Sequence, residues 1–272
     1  MASVMGPAHR ARIGVGAFNV IQIEHAEAIV TGAERAGRPV VLQISENTAR
    51  YHGRLAPLAL ACLRSAEDAG VDVVVHLDHA TERELVEEAV GLGVQSVMYD
   101  ASRLDHDANV RLTAEVTGWC HAREVWVEAE LGEVGGKDGV HAPGVRTDPG
   151  EAAGYVAATG VDALAVAVGS SHAMRTRDAV LDDDLIARLR AAVSVPLVLH
   201  GSSGVPDAGM VSAVAHGMTK LNVATQLNRA MTRAVRDALT DAAVVDPRRY
   251  LGPGREAVAA EVERLLALLA LH

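Results

Sequence analysis

One pattern restricts this chain more than any other. A short, nearly continuous apolar run is followed by an amphipathic stretch, and the pair recurs eight times from end to end. The runs are IGVGAFNV (13–20), VVLQIS (40–45), VDVVVHLD (71–78), VQSVMYDA (94–101), EVWVEAEL (124–131), ALAVAVG (163–169), PLVLHGS (196–202) and TKLNVA (219–224). Rich in β-branched residues and apolar at both parities, they read as strands covered on both faces. Strand then helix, eight times, predicts an α/β fold, the (β/α)8 TIM barrel. A doubly wound sheet would normally carry a glycine-rich dinucleotide loop after its first strand, and AFNVIQIEHAE has none. Thr81-Glu82-Arg83-Glu84 predicts a capping box for one helix, which Gly91 and Gly93 close. Asp148-Pro149-Gly150-Glu151 predicts an N-cap followed by proline at the first helical position. The stretch DPRRYLGPG (246–254) reads as a break before a last amphipathic helix, 255–271. The expectation is one domain, 1–272, with a C-terminal helical extension over 246–272.

Composition narrows the setting. With 49% hydrophobic and 22% charged residues, 272 residues bury a sizeable core, and aromatics at 3% leave Ala, Val, Leu and Ile to fill it. A net charge of −10 argues against a nucleic-acid partner. MASVMGPAHR lacks the apolar core of a secretory signal, no apolar run reaches membrane-spanning length, and two cysteines, Cys62 and Cys120, make no disulfide framework. A cytoplasmic protein without a membrane partner is expected. Only two of the 25 basic residues are lysines, Lys137 and Lys220.

Chemistry in such barrels sits where the strands end. Those ends carry Asn19, Ser45, Asp78 with His79, Asp100, Glu130, His172, His200 and Asn222. Of twelve histidines, His9, His25, His52, His106, His121, His216 and His272 read as solvated or capping residues, and His141 is left open. His76 shares a strand face with Asp78 and reads as a buried, hydrogen-bonded imidazole. His79, His172 and His200 follow strands three, six and seven. Three imidazoles around an open position form the ligand set of a catalytic zinc site, although these long intervals match no local zinc motif. Glycines supply a second theme: GSSHA (169–173), HGSSG (200–204) and NVAT (222–225) bring backbone N–H groups and a helix start to adjacent strand ends, which suits a phosphate.

Taken together these residues resemble the class II, metal-dependent ketose-bisphosphate aldolases. AFN (17–19), HLDH (76–79), SVMYDAS (96–102), VEAELGEVGG (127–136), GSSHA, VLHGSSG (198–204), KLNVAT (220–225) and the tail DPRRYLGP (246–253) stand in the family's order over nearly the whole chain. The resemblance implies zinc on His79, His172 and His200, with a monovalent cation as activator and Asp100 and Glu130 as carboxylates near the metal. It implies Asp78 as the acid/base serving the hydroxyl at the bond made or broken. Gly201, Ser203, Asn222 and Thr225 match positions that hold one phosphate, and Gly169, Asn19 and Ser45 fall among the substrate contacts. The implied reaction is reversible cleavage of fructose or tagatose 1,6-bisphosphate to dihydroxyacetone phosphate and glyceraldehyde 3-phosphate by a homo-oligomer, dimer or tetramer. A Schiff-base route is disfavoured, because Lys137 lies in a loop and Lys220 near the start of strand eight, away from the catalytic rim.

Four departures from the family pattern bear on specificity. The loop after strand five reads Gly135-Gly136-Lys137-Asp138-Gly139, without the glutamate of the family's Gly-Gly-x-Glu-Asp, which makes Asp138 the candidate proton carrier and Glu133 its alternative. Ala224 stands where many fructose-bisphosphate enzymes have an aspartate, and tagatose-type members tend to have alanine. Asn228 stands where some members have an arginine at the distal phosphate, a charge that Arg248, Arg249 or Arg255 could supply. Ala173 replaces the glycine that often follows the second histidine. These changes leave room for an aldolase of a different phosphorylated sugar. A catalytically silent barrel supporting another aldolase is favoured slightly by the missing glutamate and opposed by Asp78 and the three histidines. A metal-dependent hydrolase would place His-x-His on strand one, which AFNVIQ lacks.

Overall fold

The computed structural model describes residues 1–131, 146–170 and 176–271. Its strands are β1 (Val15–Asn19), β2 (Val40–Ser45), β3 (Val73–Ala80), β4 (Ser96–Tyr99), β5 (Trp126–Glu130), β6 (Ala163–Ala165), β7 (Leu197–Leu199) and β8 (Met218–Val223). They pair in sequence order, all parallel, and β8 closes on β1 through Val15↔Lys220 and Ala17↔Asn222. The expected (β/α)8 barrel is therefore present. Its strands are shorter than the apolar runs at β6 and β7, and β3 runs two residues further than its run, through His79 to Ala80.

The helices are α1 (Ala2–Ala11), α2 (Ile23–Ala36), α3 (Glu46–His52), α4 (Ala56–Glu67), α5 (Arg83–Gly91) and α6 (His106–His121), then α7 (Pro149–Thr159), α8 (Asp183–Ala192), α9 (Asp207–His216), α10 (Thr225–Ala238) and α11 (Pro247–Leu269). Helix α1 precedes the barrel and lays Val4, Met5 and Ala8 against Val15, Ala17, Val41 and Val74 at the amino-terminal ends of the strands. The opposite mouth is left to the polar strand ends.

Three local expectations are corrected. Glu82, not Thr81, occupies the N-cap of α5 and makes no side-chain cap, and the Thr81 hydroxyl bonds to Glu46. Residues 246–254 do not break the chain. Asp246 accepts the Arg248 N–H, Pro247 takes the first turn, and α11 continues through Pro253 to Leu269. It packs closely on α2 and α10 at two glycines. A Cβ on Gly32 would lie 2.5 Å from the Ala259 carbonyl oxygen, and one on Gly254 would strike Met231. Third, His25 is not solvated: it is buried in α2 and lies against Asn228. His52, His106, His121 and His216 are exposed, as expected, and His9 is half-buried against Thr219. Asp148 caps α7 as its sequence predicts, accepting the Gly150 and Glu151 N–H groups. Among the described residues no helix is long and apolar enough to cross a membrane.

Candidate active site

Successive side chains on a strand point to opposite faces, so Asp78 and His79 could not serve one site from a regular β3. The backbone resolves this with a positive φ of 52° at His79, and the β3–β4 register shifts between Leu77 and Ala80. Left-handed backbone at a residue with a side chain costs roughly 1–2 kcal/mol. In return Asp78, His79 and His200 each present a donor atom, all within 4.8 Å of one another, at the carboxyl mouth of the barrel.

Each group is held from outside. Asp78 Oδ2 accepts the Asn19 side-chain amide at 3.3 Å and that of Gln43 at 3.5 Å, while Gln43 also donates to Asn19 Oδ1 at 2.8 Å. Asp78 Oδ1 is buried and has no hydrogen-bond partner among the described residues. Burial would raise the Asp78 pKa, but His79, Lys220 and His200 outweigh it and hold the carboxyl below its ordinary value. His79 Nδ1 lies 2.7 Å from Asp100 Oδ2, and Asp100 Oδ1 accepts the Ser102 N–H and hydroxyl at 3.1 and 2.6 Å. Burial opposes the charged imidazole, yet Asp78 and Asp100 together raise His79 to about 10. Burial likewise works against the Asp100 carboxylate, and the bond to His79 prevails and keeps it ionised. The His200 ring stands edge-to-face on that of His79, centroids 4.7 Å apart. Its Nε2 meets Glu128 Oε1 at 3.0 Å and its Nδ1 lies 3.7 Å from Glu130 Oε2. Asp100 and Glu130 form a second potential ligand group with His79.

One layer inward lies a charged network that the strand-end reading misses. Lys220 is fully buried and donates to Glu128 Oε2 at 2.8 Å. His76 is buried as expected, with Nδ1 2.7 Å from Ser96 Oγ, and burial followed by Lys220 pushes it down to about 3. Glu128 and Gln43 are the functional residues absent from the sequence reading. Their signal was the two-residue period: Glu128 sits two before Glu130, Gln43 two before Ser45, and Lys220 two before Asn222.

The glycine-rich turns lie beside this group. Gly201 (φ 70°) leads a single 3₁₀ turn over Ser202–Gly204, and Ser203 Oγ accepts the Ala224 and Gln226 N–H groups at 3.2 and 3.4 Å, at the start of α10 where Thr225 lies. Asn222 is buried at the end of β8, its Oδ1 without a hydrogen-bond partner among the described residues. At Gly169 (φ 124°) a Cβ would strike the Val180 carbonyl. Ser45 is engaged locally as the N-cap of α3, accepting the Thr48 N–H at 3.2 Å. In the tail, Arg248 pairs with Asp246 and Arg255 with Glu27. Glu133, Lys137, Asp138, His141, His172, Ala173 and His272 lie outside the described residues.

The donor chemistry fits a divalent cation. Two imidazoles and a carboxylate converge, a buried carboxylate oxygen lacks a hydrogen-bond partner among the described residues, and each histidine is oriented by a second carboxylate, the arrangement that fixes tautomer and ring direction in metal sites.

Residues 1–271 match the model of the class-II fructose-bisphosphate aldolase family. A fructose-bisphosphate aldolase of Geobacillus stearothermophilus is 40% identical over 267 residues, covering 96% of this chain and 93% of that protein. One from Giardia intestinalis is 37% identical over 287 residues, covering 95% of this chain and 88% of its own. Among solved structures, the YdjI aldolase of Escherichia coli K12 superposes with a TM-score of 0.87 at 32% identity, covering 98% of this chain and 95% of the other.

Proposed function

Because the chain belongs to the class-II fructose-bisphosphate aldolase family and is an aldolase, a carbon–carbon lyase, we propose that it cleaves a ketose 1,6-bisphosphate reversibly to dihydroxyacetone phosphate and glyceraldehyde 3-phosphate, with zinc as its metal. The observation that carries this reading is the meeting of Asp78, His79 and His200 donor atoms within 4.8 Å at the strand ends.

His79 and His200 are the ligands, with His172 as the third, and Asp100, Glu128 and Glu130 orient them or offer alternative positions. When bound, zinc supplies the Lewis acidity that the negative charge left by carbon–carbon cleavage requires, worth several kcal/mol. Asp78 removes the proton from the hydroxyl of the departing aldehyde and returns it in the condensation direction. Asn19 and Gln43 occupy its Oδ2, which fixes the carboxylate plane and leaves Oδ1 as the basic atom. Ser203 accepts two backbone N–H groups, so its own hydroxyl proton is left to donate to a phosphate oxygen, beside Gly201, Asn222 and Thr225. Gly169 and Ser45 border the substrate, and Asp138 exchanges the proton on the nucleophilic carbon. A monovalent cation activates the enzyme. The sugar is fructose 1,6-bisphosphate or tagatose 1,6-bisphosphate, and Ala224 and Asn228 leave room for a different phosphorylated sugar.

The chain works as one domain in a homo-oligomer, dimer or tetramer, in the cytoplasm; the tail helix Pro247–Leu269 is built into the helical layer, and Cys62 and Cys120 are buried free thiols, which suits a reducing compartment. The test is metal removal with both bisphosphates as substrates. Stringent chelation abolishes cleavage, zinc restores it, and borohydride with substrate traps no adduct. Full activity after metal removal would overturn the reading.

A further inference from the structure

We infer that Glu46 is a positioning residue for His79, a clamp on the backbone that keeps the kinked end of β3 in its left-handed conformation. This rests on the reading of His79 as a metal ligand.

The kink is bracketed on both sides. Before it, Asp78 stands in register with Ser45 on β2, the residue preceding Glu46. After it, the Ala80 carbonyl accepts the Asp100 N–H at 2.8 Å, and Thr81 turns its whole polar edge to Glu46. The Thr81 N–H donates to Glu46 Oε2 at 2.5 Å, and its hydroxyl lies 3.0 Å from both carboxylate oxygens. Glu46 is 5% exposed, and Arg50, one turn further along α3, also pairs with it. A carboxylate is costly to bury without compensation, and beside Arg50 of its own helix this one is compensated by Thr81, two places beyond His79.

A second observation points the same way. Thr81 has the residue type and spacing to cap α5, yet α5 begins without a side-chain cap while the Thr81 hydroxyl stays on Glu46. Local helix stabilisation has been given up for a contact between α3 and the β3–α5 turn. Without that contact an ordinary residue at position 79 relaxes toward extended backbone, which carries its imidazole away from the face it shares with Asp78.

The test compares Glu46→Ala, Glu46→Gln and Thr81→Val with the unaltered chain, reading zinc affinity by chelator competition, the visible spectrum of the Co2+-loaded protein, and kcat and KM separately. Glu46→Ala is expected to weaken zinc binding by about 10–100-fold, the range for loss of a group that orients a ligand, and to shift the Co2+ bands. It lowers kcat with little change in KM. Glu46→Gln keeps an acceptor for the Thr81 N–H and stays within about threefold of the unaltered chain. Thr81→Val removes only the hydroxyl contact and falls between the two, which keeps the inference testable if Glu46→Ala fails to fold. Unchanged zinc affinity and Co2+ spectrum in Glu46→Ala, or in Thr81→Val where Glu46→Ala does not fold, would overturn it. His79→Ala separates the two levels. If that variant binds zinc normally, the ligand assignment fails and the inference with it; if it loses zinc while the Glu46 and Thr81 variants do not, only the inference fails.

Discussion

Lys220 Nζ lies 2.8 Å from Glu128 Oε2, with both side chains at 0% exposure in the barrel interior. The other Glu128 oxygen receives His200 Nε2 at 3.0 Å, so a buried cation stands directly behind a candidate metal ligand. This also accounts for the amine chemically: it is held as the partner of a buried carboxylate, where a Schiff-base lysine must be free to lose its proton.

Removing one member of such a pair leaves an uncompensated charge. Lys220→Met is expected to destabilise the chain by about 3–5 kcal/mol. Adding Glu128→Gln removes the stranded charge and retains an acceptor for His200, so the double variant should regain most of that loss. Denaturant unfolding of both variants measures it; equal destabilisation in the two would show that the pair is not coupled.

Asp78→Ala should lower kcat for cleavage by about 10²–10⁴-fold, the usual contribution of a positioned acid/base. Asp138→Ala should slow exchange of the proton on the nucleophilic carbon of dihydroxyacetone phosphate, followed by loss of label. An unchanged exchange rate in Asp138→Ala removes that residue from the role.

The raised His79 pKa fixes the pH dependence of the metal-free chain. Two carboxylates lift it from 6.5 to about 10. A raised folded-state pKa contributes stability in full below 6.5 and loses it as pH climbs toward 10, so the metal-free protein should become less stable across that window. Metal needs the neutral imidazole. Binding near pH 8 should therefore release about one proton, and affinity should rise roughly tenfold per pH unit until His79 titrates. Calorimetry in buffers of different ionisation enthalpy counts the proton, and zero release would contradict the assignment.

At the α2–α11 crossing, Gly32→Ala forces a methyl group to 2.5 Å from the Ala259 carbonyl oxygen. Overpacking of this kind costs about 1–3 kcal/mol. Thermal unfolding should register it as a lower midpoint, at about 2–4 °C per kcal/mol in a chain of this size. A midpoint at or above that of the unaltered chain would mean that the helices separate freely.

The barrel was legible because burial on both faces leaves an unmistakable imprint, eight apolar runs at regular intervals. The rim was legible for a related reason: polar residues at the ends of apolar strands stand out. What escaped was set by contacts distant in sequence. His25 sits near a helix start, where imidazoles are usually wet, and is buried with Asn228 of α10 beside it. Pro253 signals a break, and its helix survives because the Asp246 cap and the Gly254 contact with α10 hold the turns on either side. Gln43 and Glu128 lie inside apolar runs, where a polar residue suggests an outward face. The two-residue period, carried inward from Ser45 and Glu130, places them beneath the site. Nothing in HLDHAT announces a positive φ at a histidine, since glycine is its usual marker.

That kink makes neighbours in the gene into neighbours at the candidate site. Asp78 and His79 occupy adjacent codons and reach one site through a single rotated peptide unit, so neither can shift along the strand without dragging the other. Substitution can tune each residue alone, but an insertion or deletion there alters the proposed acid/base and the proposed ligand at one stroke. A loop at the mouth can lengthen without moving either side chain, whereas the spacing of this dipeptide cannot change without separating them.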